Sequence, residues 1–245
     1  MNNPTMRLIR AELTLMRRDP LVLTFVVAFP IVTMLIIGGA FGTTPDQAFD
    51  NTNPAHWYVA SYLTVVIAAT GLVMLPVHLA SYRERGVLRR FAVAVFPRWS
   101  FAVAELMVGL LATAVSCTLL LIVALPVYGV PAMHAPLRVA VALALGAVGF
   151  TALGVLLGSV LPSARSAQAV GLLLFFPSFL LGAGGPPPHV LGAAVRTIAG
   201  PLPLTLLTNA VREPWLGIGT ATTSLVALAG LTVLVTAVAA RRAVL

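Results

Sequence analysis

An all-α integral membrane fold is what this sequence predicts. It comprises six transmembrane helices, an N-terminal amphipathic interfacial helix, a short charged helix between spans two and three, and re-entrant half-helices between spans five and six. Three observations carry the prediction. The 245 residues are 59% hydrophobic and only 9% charged, which leaves too few polar side chains to coat a water-soluble domain of this size. The mean hydropathy is +1.00. The charges fall between long apolar runs instead of gathering on one surface, so the net charge of +8 reads as membrane topology and not as a nucleic-acid footprint. One cysteine, Cys117, lies inside an apolar run; a single thiol excludes an intrachain disulfide and fits a buried structural role.

Residues 1–20 carry Arg7, Arg10, Arg17 and Arg18 opposite Met6, Ile9, Leu13 and Met16, a spacing that gives a helix one basic and one apolar face and lays it along the membrane surface. Asn3 and Pro4 suit its start, and Asp19-Pro20 its stop. A signal peptide is the alternative, but the following apolar run is too long and lacks a small-residue cleavage site. No charge occurs from Leu21 to Thr44, so 21–43 is the first span: about 20 helical residues cross a hydrocarbon core of about 30 Å. Pro30 kinks it without forbidding it. Asp46, Asp50, Asn51, Asn53 and Pro54 make an exposed loop, and Trp57 and Tyr58 mark the interface where the second span, 57–82, begins.

Residues 83–100 form the only long stretch where charge accumulates between two spans, with Arg83, Glu84, Arg85, Arg89, Arg90 and Arg98. We read it as a short helix outside the bilayer; a solvated basic loop beside anionic lipid headgroups is the other reading. Span three is 104–128, ended by Pro126 and Gly129. Span four is 139–161, with Gly146, Gly149, Gly154 and Gly158 offering small surfaces for close helix contact. The turn at Pro162–Gln168 leads into span five, 167–183, and span six is 218–240, closed by Arg241 and Arg242. Residues 184–214 begin GAGGPPP and are interrupted by Arg196, Pro201 and Pro203. They are too broken to cross, and read either as re-entrant half-helices or as a loop folded over the helix ends.

Basic segments beside spans stay in the cytoplasm. With both termini inside, the inner side carries 4, 5, 1 and 2 arginines, 12 in all, against Arg138, Arg196 and Arg212 outside. Both termini and the charged segment are therefore expected to face the cytoplasm.

Little in the chain carries chemistry. All 15 basic residues are arginine, and a P-loop needs a lysine to reach the β- and γ-phosphates, so the chain is not expected to split ATP in that way. Glu105 and His78 sit at span edges, where an interfacial residue and a proton relay are both open readings. His56, His134 and His189 share no metal-ligand spacing. Asp46, Asp50 and Glu213 form no nucleophile-base arrangement with a serine.

Several short motifs nevertheless have a familiar order: Glu84-Arg85-Gly86, Leu88-Arg89-Arg90 and Pro97-Arg98-Trp99 after span two. Pro162, Arg165, Ala167 and Ala169 lead into span five. Pro203-Leu204-Thr205 precedes Asn209-Ala210-Val211-Arg212, and Arg18-Asp19-Pro20, Pro30 and the Gly38–Gly42 region frame the first span. In this order the chain resembles the permeases of ABC-2 type exporters, especially the daunorubicin and multidrug-resistance type, over nearly its whole length. It departs from them at Leu180-Leu181-Gly182, where members often carry Leu-Ser-Gly, and in its GGPPP run. The resemblance implies a non-catalytic half-transporter in a bacterial plasma membrane, paired with a second copy or a homologous permease. It also implies two separate ATPase subunits that hold ATP and Mg²⁺, with no cofactor on this chain. A coupling helix at about Arg85 to Val95 would dock on the ATPase through Val87, Leu88 and Phe91, with Glu84, Arg85, Gly86, Arg89 and Arg90 setting register. The cargo it implies is a hydrophobic or amphiphilic small molecule. Export of a polysaccharide or lipid-linked polymer is the alternative, and an ion-coupled carrier or intramembrane enzyme a more distant one. Phe25, Phe29, Phe175, Phe176 and Phe179 are candidate pathway walls, although such aromatics are more often plain packing or lipid-facing residues.

Overall fold

Helices account for most of the described residues, as expected where backbone polar groups must be satisfied within one segment. A computed structural model describes residues 14, 20, 23–86, 98–129, 131–187 and 190–243. The amphipathic segment predicted at 1–20 thus lies almost wholly outside the described residues. The helices are α1 (residues 23–40), α2 (Pro54–Glu84), α3 (Arg98–Tyr128), α4 (Pro136–Val160), α5 (Ala164–Ala183), α6 (Ala193–Ala199), α7 (Pro203–Leu216) and α8 (Thr222–Ala243). Five of them, α2, α3, α4, α5 and α8, are long and apolar enough to cross a membrane, and α1 contributes a shorter apolar helix, Val26–Ala40. Among the described residues the only β-type pairing is the single bridge between Asp46 and Thr52.

The bundle is built around α2. Of its most apolar stretch 94% is buried, against 17–44% for the other four long helices. From Pro54 to Pro76 only His56 is even half-exposed. A helix apolar on every side has no solvent face to offer and is stable only when enclosed. Here α1, α3, α4, α5 and α7 enclose it, while α8 packs mainly on α4. Outward faces are ordinary lipid-type surfaces: Met107, Leu111, Val115 and Leu119 recur every fourth residue along α3, each 37–57% exposed, which places them on one stripe.

Enclosure this complete depends on glycine at two places. A Cβ on Gly154 of α4 would stand 2.5 Å from the Gly71 carbonyl oxygen, and one on Gly171 of α5 would stand 2.1 Å from the Leu72 carbonyl oxygen. Backbone therefore meets backbone on both sides of α2, as small residues permit in membranes. The contact falls on a π-turn, Thr70–Met74, closed by the Leu75 N–H donating to the Thr70 carbonyl. Its cause lies just beyond, at Pro76, which has no N–H for the Leu72 carbonyl; the wider turn accommodates the proline ring. The same pairing occurs in α1, where the π-turn Leu23–Ala28 precedes Pro30, and α5 has its π-turn, Phe179–Ala183, just after Pro177.

Helix limits differ from expectation where local chemistry overrides charge. Arg83 and Glu84 continue α2, because nothing breaks the helix before Gly86, and Arg98 already belongs to α3. The interhelical segment is thus shorter than 83–100. Helix α8 begins at Thr222, not at 218, since the Glu213 carboxylate accepts from the Ala221 N–H at 3.0 Å and fixes the helix start there. Between α5 and α8 stand two short helices. Helix α7 has 14 residues, about 21 Å, and lies beside the middle of α4: a Cβ on Gly146 would meet Leu207 at 2.4 Å. Pro203, at its start, lines an apolar cavity of about 150 Å³ together with Gly149, Phe150, Leu228 and Thr232.

Gly171→Ala is expected to cost at least about 2 kcal/mol, because the new methyl meets a backbone carbonyl that cannot step aside. Thermal unfolding of the detergent-solubilised variant checks this; a melting temperature equal to wild type would contradict the close approach.

Candidate functional site

Helix α2 ends by a device that determines where the chain goes next. The Arg85 N–H donates to the Ser81 carbonyl and the Gly86 N–H to the Arg83 carbonyl, each at 3.1 Å, and Gly86 adopts φ +67°. Among the described residues none comes within 4 Å of a Cβ at Gly86, so its backbone angle is what calls for glycine; a left-handed residue at this position closes a helix and turns the chain away from its axis. Glu84 and Arg85 are exposed beside it. Val87, Leu88, Arg89, Arg90 and Phe91 lie outside the described residues.

Arg83, one turn earlier, is exposed like Glu84 and Arg85, yet its guanidinium is bonded to a neighbouring helix. Its Nη1 donates to the carbonyls of Gly158 and Leu161 at 3.1 Å, and to that of Ser159. The last carbonyls of a helix have no partner within it, and a cation there also complements the helix dipole; Arg83 does both for α4. Two residues beyond Leu161, a reciprocal Ser163–Ser166 capping box opens α5. One end of the bundle thus ties α2, α4 and α5 together within a few residues.

At mid-depth the predicted phenylalanines do come together. Phe29 of α1 lies 5.8 Å from Phe175, 6.2 Å from Phe176 and 5.3 Å from Phe179 between ring centroids, each edge-on. Phe25 is in the π-turn of α1, its side chain outside what is described. From Phe179 an aromatic column continues through Tyr62, Tyr58 and Phe49 to Trp57. This column is interior packing: Phe175 is 0% exposed and Phe179 6%, and only Phe176, at 39%, presents a face outward. Of the four phenylalanines whose side chains are described, Phe175 and Phe179 are buried within the chain, Phe29 is half-buried and Phe176 is exposed.

The column ends on a buried cation. Arg212 of α7 lies 3.8 Å over the Trp57 ring, donates to Asn209 Oδ1 at 2.9 Å and to Ser61 Oγ at 3.4 Å, and is 3% exposed. Burial pulls its guanidinium down from the ordinary 12.5 to about 10, with the negative charges of Glu213 and Asp50 opposing the fall, so it remains a cation at neutral pH. Below it, Thr64 and Thr208 share a hydrogen bond of 2.8 Å, which continues the polar seam between α2 and α7. The loop before α2 is held by its own caps: Asp46 accepts from the Ala48 N–H and Asn53 from the Ala55 N–H, and Phe49 is 2% exposed beneath it.

Against this geometry stands one match with known proteins: the profile of the ABC-2 type transporter family fits residues 4–215. The chain belongs to the ABC-2 type transporter family. No curated protein matches it. As a member, it is a multi-pass ABC transporter permease subunit, and the family implies an ABC ATPase partner and dimerisation in general.

In this ABC-2 permease the remaining ionisable residues picked out by sequence have structural surroundings. His56 Nε2 lies 3.1 Å from the Tyr128 carbonyl and His134 Nδ1 3.1 Å from the Trp215 carbonyl, which joins α2 to α3 and α7 to the loop before α4. His78 stacks near Tyr82, with centroids 4.5 Å apart. Glu105 is 1% exposed, deeper than an edge residue that snorkels. No group of three metal-ligating side chains occurs among the described residues. Sequence reasoning counted Arg83 and Arg212 only as charges. Arg212 follows Asn209 by three residues, a spacing that could have signalled their local pairing; nothing near Arg83 in sequence signals its acceptors, which lie on another helix.

Arg212→Ala is expected to cost about 3 kcal/mol, since it leaves Ser61 and Asn209 with less to bond and Trp57 without its cation. Arg212→Lys should rescue little, having no planar fork to lie on the ring and reach both partners. Thermal unfolding followed by tryptophan fluorescence checks both; a lysine variant as stable as wild type would contradict the account.

Proposed function

We propose that this permease subunit works as half of an ATP-driven exporter in a bacterial plasma membrane, moving a hydrophobic or amphiphilic small molecule such as a drug, antibiotic or lipid-like compound. A separate ATPase docks on the segment that follows Gly86, and two copies of the permease, or this chain and a homologous one, complete the transporter. The observation that carries this reading is the placement of Glu84-Arg85-Gly86 at the outgoing end of the helix that its neighbours enclose. A push on that end reaches α2 first, and through it every helix packed around it; the fitness of the site lies in its position, since no nucleotide-binding motif exists in the chain.

Cargo class is supported by what the chain lacks room for. The aromatic column fills the space between α1, α2 and α5, so a molecule does not thread through one copy but travels along its outward faces, where Val32, Ile36, Leu173, Phe176 and Leu180 are 39–71% exposed. Such a surface favours apolar and amphiphilic molecules. The short helix α7, beginning beside the middle of α4, supports the re-entrant reading of 184–214, because a helix of about 21 Å is too short to cross.

The test is reconstitution. The chain and its cognate ATPase in liposomes should move an amphiphilic fluorescent dye only with hydrolysable ATP. Glu84→Gln or Gly86→Ala should lower transport per ATP about tenfold at unchanged yield, the second at a stability cost of about 1 kcal/mol for a non-glycine residue in left-handed conformation. Dye movement without the ATPase, or full transport in both variants, would overturn the reading.

A further inference from the structure

We propose that Arg83 is a positioning residue for coupling: it tethers the outgoing end of α2 to the junction between α4 and α5, so that a displacement arriving beyond Gly86 moves three helices as one body. The inference rests on the exporter reading above for its mechanical consequence, but its geometry is independent of it.

Three carbonyls converge on one guanidinium nitrogen. Gly158 and Ser159 belong to the last turn of α4, and Leu161 to the extended residue that ends it, with φ −72° and ψ 135°. Helix α4 has its last carbonyls answered by a cation from another helix, in place of the glycine or solvent that commonly serves. Because charge-assisted bonds are stronger than neutral ones and Arg83 holds several at once, the tether resists both sliding and rotation of α2 against α4. The same three helices are also joined deeper down. Leu79 packs on Gly158 one turn from Arg83, and Gly154 and Gly171 bring α4 and α5 onto the backbone of α2. The tether is thus the outermost of a row of contacts running along α2, and it is the one nearest the incoming force.

Arg83 is flanked by residues that leave it free for this task. Glu84 and Arg85 are exposed, and Tyr82 is turned inward at 9% exposure against His78. From Gly86 the chain leaves in a left-handed turn, so force applied there is a lever on the last turn of α2. Without the tether that turn can unwind or swing, and the motion is spent locally. With it, the motion passes to the Ser163-capped start of α5, the helix that carries Phe175, Phe176 and Phe179.

Two measurements test this. The chain alone in nanodiscs, in a Cys117→Ser background and spin-labelled at Glu84→Cys and Ala164→Cys, should give one narrow distance distribution that broadens in Arg83→Gln. Equal widths would overturn the tether whether or not an ATPase is present. In the reconstituted complex, Arg83→Gln should keep ATP hydrolysis within twofold of wild type and lower dye transport per ATP about tenfold. A short thiol cross-link between Arg83→Cys and Ser159→Cys should restore transport per ATP to within twofold, which a purely electrostatic cap would not allow. Unchanged coupling in Arg83→Gln, or a cross-link that restores stability and not coupling, would overturn the proposal. If the wild-type complex itself shows no nucleotide-driven transport, the exporter reading fails and the distance distributions still decide the tether.

Discussion

Complete burial of one transmembrane helix is the constraint on which the rest of this structure depends. Lipid tails are as apolar as leucine, so helices in a membrane do not associate by a hydrophobic effect among themselves; they associate where packing is close and where polar groups find each other. Helix α2 supplies both. Its backbone is approached directly at Gly71 and Leu72 by the glycines of α4 and α5. Its small polar residues, Ser61, Thr64 and Thr70, lie at 0% exposure and bond either within the helix or across to α7. Neighbours arranged this way bury α2 on every side and expose their own far sides.

Proline and π-turns follow the same logic. Three of the helices that form the central packing, α1, α2 and α5, each carry a proline with a π-turn within a few residues. Each proline removes one backbone donor, and the wide turn redistributes the hydrogen bonds that remain. At the two ends of α2 the means of attachment differ. Near Pro54, the histidines, Tyr128, Trp215 and Arg212 connect helix ends through carbonyl acceptors and ring contacts. Near Glu84, among the described residues, the Arg83 guanidinium holds the last carbonyls of α4, beside the contact of Leu79 with Gly158.

Much of this was legible in the residues. The five long apolar helices were readable because charge is scarce in them and arginine punctuates them, whereas the first expected span, 21–43, is described only as a shorter apolar helix, Val26–Ala40. The glycines of α4 announced close packing, and Gly146, Gly154 and Gly158 meet Leu207, the Gly71 backbone and Leu79. The end of α2 at Gly86 was not read from the sequence, where Arg85 and Gly86 were expected to open a coupling helix at about Arg85 to Val95; in the structure α2 runs to Glu84 and Gly86 is left-handed. What was not legible was which span is enclosed. Helices α2 and α8 are similar in apolar content, with hydropathy 2.1 in both, yet one is almost wholly buried and the other mostly outward, because burial is decided by partners distant in sequence. For the same reason the burial of Phe175 and Phe179 was not legible: an aromatic residue in a span looks the same whether it faces lipid or a neighbour. Arg83 read as one charge in a cluster because its three acceptors lie some 75 residues away.

Nitroxide scanning with oxygen as the relaxing agent tests the enclosure of α2 most directly, because oxygen partitions into lipid and reports which side chains face it. Labels placed singly at positions 59–73 in nanodiscs should show uniformly low accessibility, while positions 224–238 of α8 should rise and fall with a period of about 3.6 residues. A helical oscillation of accessibility along α2, with maxima matching those of α8, would mean that α2 has a lipid face, and the account of a single enclosed helix driven from its Gly86 end would be wrong.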